Sequence, residues 1–113
     1  MTQKIIIPYD IDRGVYFEKN INVNISVGDT NSCELIIPVG RKPFNKIGNS
    51  LRDVEFEEPL DLTGYSAVAY FKHQDEKFDL QHPLKANGNQ LNVILPAEEL
   101  YSWRQRFWLK QNS

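Results

Sequence analysis

The stretch Ile21-Asn22-Val23-Asn24-Ile25-Ser26-Val27 alternates β-branched apolar residues strictly with polar ones. A period of two is typical of a β-strand that has one face in the core and the other in solvent. The run ends at Gly28-Asp29-Thr30-Asn31-Ser32, which consists of turn-forming residues. A second apolar segment, Glu34-Leu35-Ile36-Ile37, follows and ends near Pro38. This part of the chain therefore predicts two strands joined by a turn.

The same pattern recurs downstream, and the remaining predicted strands are Leu51–Phe56, Tyr65–Lys72, Lys77–Leu80, Gln90–Leu95 and Trp103–Lys110. Tyr65–Lys72 has apolar residues on both faces, which indicates a central position in a sheet. Asn87-Gly88-Asn89 predicts a hairpin turn, because Asn and Gly tolerate the positive φ of primed turns. Residues Gly40–Ser50 are rich in Gly, Pro and Asn and predict a long loop.

One short helix is predicted at Pro96–Tyr101, where Pro opens the segment and two acidic residues follow in the first turn. The chain has 113 residues and no internal repeat, which predicts a single domain over residues 1–113. Short strands with frequent turns and almost no helix predict an all-β fold, an antiparallel β-sandwich of six to eight strands.

Composition excludes several classes of partner and site. The formal net charge is -2, so no broad basic surface is expected to attract nucleic acid. Cys33 is the only cysteine, which excludes an intrachain disulfide and predicts a small buried hydrophobe. The start of the chain has only three apolar residues before Pro8, which predicts no signal peptide, and no stretch is long enough to insert into a membrane.

No arrangement of residues typical of catalysis, cofactor binding or metal binding is found in the sequence. His73 and His82 both lie in polar contexts that are typical of exposed turns, without a carboxylate or thiolate at useful spacing. Asp10, Asp12 and Glu18 lack the glycine and closing glutamate of a calcium loop and are interpreted as part of a solvated loop. The sequence therefore predicts that the protein is not an enzyme and has no cofactor.

The C-terminal run from Trp103 to Leu109 interleaves arginine with aromatic residues. In a strand, alternation places Trp103, Gln105, Phe107 and Leu109 on one face and Arg104, Arg106 and Trp108 on the other. Three interpretations stay open: a strand that only fills the core, a strand that also contacts a protein, and a single-stranded nucleic acid site. The candidate partner-contact residues are Trp103, Arg104, Arg106 and Trp108.

The order of the turn motifs resembles a known family. The turn Gly28–Ser32 leads into the strand Glu34–Ile37, and Pro59-Leu60-Asp61-Leu62-Thr63-Gly64-Tyr65 introduces a strand that ends at Tyr70-Phe71-Lys72. This order resembles the N-terminal domain of baseplate upper proteins from tailed phages of Gram-positive bacteria, over about Ile21 to Leu109. The family usually has a glycine before the last strand, where this chain has Tyr101-Ser102-Trp103.

The resemblance implies a non-enzymatic β-sandwich that docks to other phage virion proteins in a tail or baseplate. It also implies a homo-oligomer, with a trimer favoured, and a location in the virion after synthesis in the host cytoplasm. No functional residue is carried over, because the matching motifs are turns. The alternative function is a carbohydrate- or receptor-binding module, in which exposed Tyr101, Trp103 or Trp108 would stack on sugar rings.

Overall fold

A computed structural model of the chain describes residues 2–16, 23–26, 32–45, 53–73, 79–96 and 100–111. These residues form ten strands: β1 Thr2–Ile6, β2 Tyr9–Asp10, β3 Val15–Tyr16, β4 Val23–Ser26, β5 Ser32–Asn45, β6 Val54–Pro59, β7 Tyr65–His73, β8 Asp79–Asn87, β9 Gln90–Pro96 and β10 Leu100–Gln111. The described part of the chain contains no α-helix. The prediction of an all-β fold is confirmed, with more strands than the six to eight expected.

The strands join into one mixed sheet in the order β3-β2-β5-β9-β8-β7-β10-β4, and β1 and β6 also pair with β5. Most of the described pairings are antiparallel, as predicted, but β1 and β2 both run parallel to β5. A parallel pair needs a long connection between its strands. Here the chain forms β2, β3 and β4 between β1 and β5, which provides that length.

Strand β8 joins the two halves of the sheet. Residues from Asp79 to Leu84 pair in register with β7, whereas Lys85 to Asn87 pair with β9. Ile25 on β4 and Leu35 on β5 are both fully buried in one hydrophobic cluster, although four strands separate β4 from β5 in the sheet order. The continuous sheet must therefore fold back on itself to bring its two halves face to face, as in a sandwich with a shared strand.

Alternation along β5 and β9 supplies much of the core. Cys33, Leu35, Ile37 and Val39 on β5 are fully buried, and the residues between them are only half-buried. The prediction that Cys33 is a buried hydrophobe is confirmed. Burial, followed by the nearby charge of Glu34, raises the pKa of the Cys33 thiol to about 11, so this thiol is protonated and unreactive at neutral pH.

Two segments differ from the sequence-based prediction. Residues 40–45 belong to β5, where they pair with β6, although Gly40–Ser50 was expected to be a loop; residues 46–50 lie outside the described residues. Both ends of the helix predicted at Pro96–Tyr101 belong to strands instead, because Pro96 ends β9 and Leu100 begins β10. Residues 97–99 lie outside the described residues. Pairing with neighbouring strands outweighs the local preference in both segments.

The turn at residues 61–64, before β7, is held by hydrogen bonds and places one residue in the core. The Asp61 carboxylate accepts hydrogen bonds from Thr63 N (3.0 Å) and Thr63 Oγ1 (2.8 Å), which lower the pKa of Asp61. Gly64 has a φ of 85°, a conformation that favours glycine. Leu62 lies between them and is fully buried, and its backbone N–H donates to Gly88 O at 2.9 Å. The predicted turn is confirmed, and it also places Leu62 in the core.

Candidate interaction surface

The backbone of the C-terminal strand is positioned by pairing on both sides. Leu100–Trp103 of β10 pair with β4, while β7 pairs with Tyr101–Trp103 and then with Phe107–Gln111. The register with β7 shifts between Trp103 and Phe107, where four steps along β10 oppose two along β7. The predicted last strand is confirmed, and Arg104 and Arg106 lie within this bulge.

Of the four candidate partner-contact residues, only Trp108 has a side chain that the structure describes. The side chains of Trp103, Arg104 and Arg106 lie outside the described residues, so their role in contacts stays a prediction. Trp108 is 47% exposed, which is unusual for so large an apolar side chain. The Lys110 ammonium lies 6.0 Å from the centre of the indole ring, at the limit of a cation–π contact.

Cross-strand pairing extends the surface of Trp108 over the neighbouring strands. Trp108 pairs with Val68 on β7, and Val68 pairs with Pro83 on β8. Directly paired residues lie on the same face of a sheet, and here that face is opposite to the buried Ala67 and Ala69.

The surface continues onto β9. Pro83 lines a cleft together with Ile94, which is 68% exposed. We call the set of Trp108, Val68, Pro83 and Ile94 the apolar row. It crosses four strands, and only its first member was identified from the sequence. The other three share no local motif, and their proximity follows from strand register alone.

The cleft lies where β8 leaves β9 to pair with β7. Its volume is about 400 Å³, and its lining residues are Glu34, His82, Pro83, Lys85, Asn92, Val93 and Ile94. Asn92 Nδ2 donates a hydrogen bond to Glu34 Oε1 at 3.0 Å. The lining of the cleft therefore combines a polar pair with Pro83 and Ile94, the last two members of the row. A cleft of this size is within the range of small binding sites.

His82 lies in β8 and not in an exposed turn, so that prediction is wrong. It pairs with the buried Ala69, and its ring meets the edge of the Phe71 ring at 5.3 Å and 79°. Burial lowers the pKa of His82 below its ordinary value. The structure places His73 at the end of β7, and its side chain lies outside the described residues.

The position of His82 predicts a loss of stability in mild acid. Below about pH 6.5 the unfolded chain protonates this histidine, while the folded protein keeps it neutral. The unfolded state then binds more protons, so the free energy of unfolding is expected to fall as the pH drops through this range. Urea unfolding of the native protein and of His82→Phe, at about pH 7.5 and about pH 5.5, measures this. An equal pH dependence in both proteins would contradict the prediction.

Asp10 and Asp12 belong to a turn that side-chain hydrogen bonds hold in place. Asp10 is only 4% exposed, and its Oδ1 accepts a hydrogen bond from Asp12 N at 3.1 Å. The Asp12 carboxylate accepts a hydrogen bond from Arg41 Nε at 2.8 Å. The interpretation of a solvated loop is wrong for Asp10, and Glu18 lies outside the described residues. Among the residues that the structure describes, no three His, Cys, Asp or Glu side chains are placed to hold a metal ion.

Two further observations do not depend on the candidate surface. Within the described ranges, no helix has the length and apolar character needed to cross a membrane. Comparisons with models of known protein families, with curated proteins and with solved structures gave no match.

Proposed function

We propose that this chain is a non-enzymatic assembly module of a phage virion, which docks to other proteins of the tail or baseplate. The observation that carries the proposal is the apolar row, in which Trp108 is 47% and Ile94 68% exposed. Exposed apolar groups that adjoin one another mark protein contact sites in soluble proteins. The row is therefore the predicted centre of the docking surface.

The dimensions of the row suit the centre of a protein interface. Strands lie about 4.8 Å apart, so Trp108, Val68 and Pro83 on the paired strands β10, β7 and β8 extend about 10 Å, and Ile94 lines the cleft together with Pro83. A standard interface buries about 800 Å² on each partner, with a central group of large side chains surrounded by polar ones. Here Trp108, at one end of the row, is its largest side chain, while Lys85, Lys110 and Glu34 lie beside the row.

The assignment to a tail or baseplate rests on the resemblance of the turn motifs, from Gly28–Ser32 to Pro59–Tyr65. It also implies other virion proteins as partners and a homo-oligomer, with a trimer favoured. The net charge of -2 and the absence of a long apolar stretch in the sequence argue against nucleic acid and membrane insertion.

A carbohydrate- or receptor-binding module is the second candidate, and the exposure of Trp108 is the observation that favours it. An indole ring that is half in solvent can stack on the apolar face of a sugar ring. A titration of tryptophan fluorescence, to which Trp103 and Trp108 both contribute, with bacterial cell-wall polysaccharide tests this candidate, with Trp108→Ala as the control. A saturable change in the native protein that Trp108→Ala abolishes would favour this function over the assembly module.

The virion assignment is tested by locating the protein in phage particles. Antibodies against the purified chain are applied to particles banded from a lysate of the strain that carries its gene. We expect the chain to band with intact particles and the gold label to lie at the distal end of the tail in electron micrographs. Chain found only in the soluble fraction, with unlabelled particles, would overturn the proposal.

A further inference from the structure

A second surface of the molecule is strongly acidic. Its members, which we call the acidic edge, are Asp53, Glu55, Glu57, Glu58 and Asp61. All except Asp53 are exposed, and Lys42 neutralises part of this charge through a 3.3 Å ion pair with Glu58. Strand β6 carries most of these residues, and among the described strands it pairs only with β5. Phe44 pairs with Glu55 and is 39% exposed, which adds an aromatic side chain to this surface.

The described charges beside the apolar row have the opposite sign. Lys4, Lys85 and Lys110 are all exposed. The only acidic side chain among them is the half-buried Glu34, which already accepts the hydrogen bond from Asn92. Three lysines against one glutamate make this surface basic. At the acidic edge, five carboxylates lie with two described cations, Lys42 and Arg41, and Arg41 also forms an ion pair with Asp12, so the edge remains negative. The two surfaces are thus complementary in charge, and each carries an exposed aromatic residue.

The two surfaces lie at different places along strand β5. Strand β5 passes both of them: Glu34 pairs with Ile94 of the row, and Phe44 pairs with Glu55 of the acidic edge. Ten positions separate Glu34 from Phe44, a contour length of about 33 Å for extended strand, and Lys42 interrupts the extended conformation with a φ of 56°. One copy can therefore engage two neighbours at once, one through each surface.

From this arrangement we infer that the acidic edge of one copy docks onto the apolar row of a second copy, head to tail. Phe44 then packs against the row while Glu55 and Glu57 face the lysines beside it. The inference rests on the proposed function, since it names a second copy of this chain as one partner of the assembly module. A contact between two different surfaces builds a closed ring or an open stack, whereas a contact of one surface with itself stops at a dimer.

Mixing two surface variants tests this arrangement. The double variant Glu55→Lys/Glu57→Lys disrupts the acidic edge, and Trp108→Ala/Ile94→Asp disrupts the row. In sedimentation velocity over a concentration series, we expect the native chain to form oligomers and each variant alone to associate about tenfold or more weakly. The equimolar mixture is expected to form heterodimers, because each variant retains one intact surface, and these two surfaces complement each other.

Controls separate this inference from misfolding and from failure of the proposed function. Both variants must keep the native circular dichroism spectrum and urea midpoint; Glu55→Gln/Glu57→Gln replaces the lysine variant if that one fails to fold. Arg13→Glu, an exposed charge in the turn between β2 and β3, is expected to leave association unchanged. A mixture that stays monomeric would overturn the head-to-tail contact. A native chain that is monomeric throughout but labels phage tails would overturn this inference and leave the assembly function standing.

Discussion

Replacing Phe71 with alanine is expected to lower the free energy of unfolding by about 3–5 kcal/mol. Phe71 is fully buried and ranks first by volume among the fully buried side chains of the described residues. Its strand, β7, is central, and Phe71 pairs with Trp103 on one side and with Leu80 on the other. Truncation removes the contact with the His82 ring and leaves a cavity between strands that pairing holds in place.

Equilibrium unfolding in urea, followed by circular dichroism, measures the effect of Phe71→Ala. A small domain is stable by about 5–15 kcal/mol, so the variant is expected to lose a large part of its stability. Trp108→Ala removes another aromatic ring from a neighbouring strand, but from its exposed face, and is expected to change stability by about 0.5 kcal/mol or less. An equal loss of unfolding free energy in both variants would mean that the face of β7 that carries Phe71 is not the buried one.

Replacing Gly40 with alanine is expected to lower the free energy of unfolding by about 1–3 kcal/mol. A Cβ at Gly40 would lie 2.5 Å from Phe56 Cγ, 2.7 Å from Phe56 Cβ and 3.0 Å from the backbone oxygen of Glu58. These atoms belong to the backbone of β6 or lie close to it, so they cannot move aside without disturbing the pairing with β5. Gly40 therefore allows β5 and the ring of Phe56 to approach each other closely.

A double-mutant cycle with Phe56→Ala tests this cause directly. Once the Phe56 ring is removed, the added methyl group at position 40 has space, so Gly40→Ala is expected to cost less in that background than in the native one. Urea unfolding of the native chain, both single variants and the double variant gives the coupling energy. Additive effects would show that the ring is not what the methyl group meets.

Regular alternation was enough to predict which residues share a face of a strand. Ala67, Ala69 and Phe71 lie on one face of β7, which is buried, and β7 is central, as its two partly apolar faces indicated. The Asn87-Gly88-Asn89 hairpin is also confirmed, with Gly88 at a φ of 64°. In these segments the local pattern and the tertiary environment favour the same conformation.

The predictions that failed concern residues whose environment is set by distant parts of the chain. His82 was expected in an exposed turn because its neighbours in sequence are polar, yet pairing with β7 brings it against Phe71. The extension of β5 to Asn45 depends on β6, and the parallel pairing of β1 depends on a strand that starts 30 positions after it. The candidate surface shows the same limit: Trp108 could be identified by composition, but Val68, Pro83 and Ile94 could not.

The many partners of β5 also have a consequence for the time during which the protein is synthesised. β5 pairs with β1 and β2, which leave the ribosome before it, but also with β6 and β9, which leave after it. Until residue 96 has emerged, the edge of β5 that pairs with β9 remains open, next to the apolar side chains of Cys33, Leu35 and Ile37. Such an edge is a template for pairing with other chains. We therefore expect the risk of aggregation to be highest during translation. A chaperone that covers residues 32–38 of the nascent chain should raise the yield of folded protein.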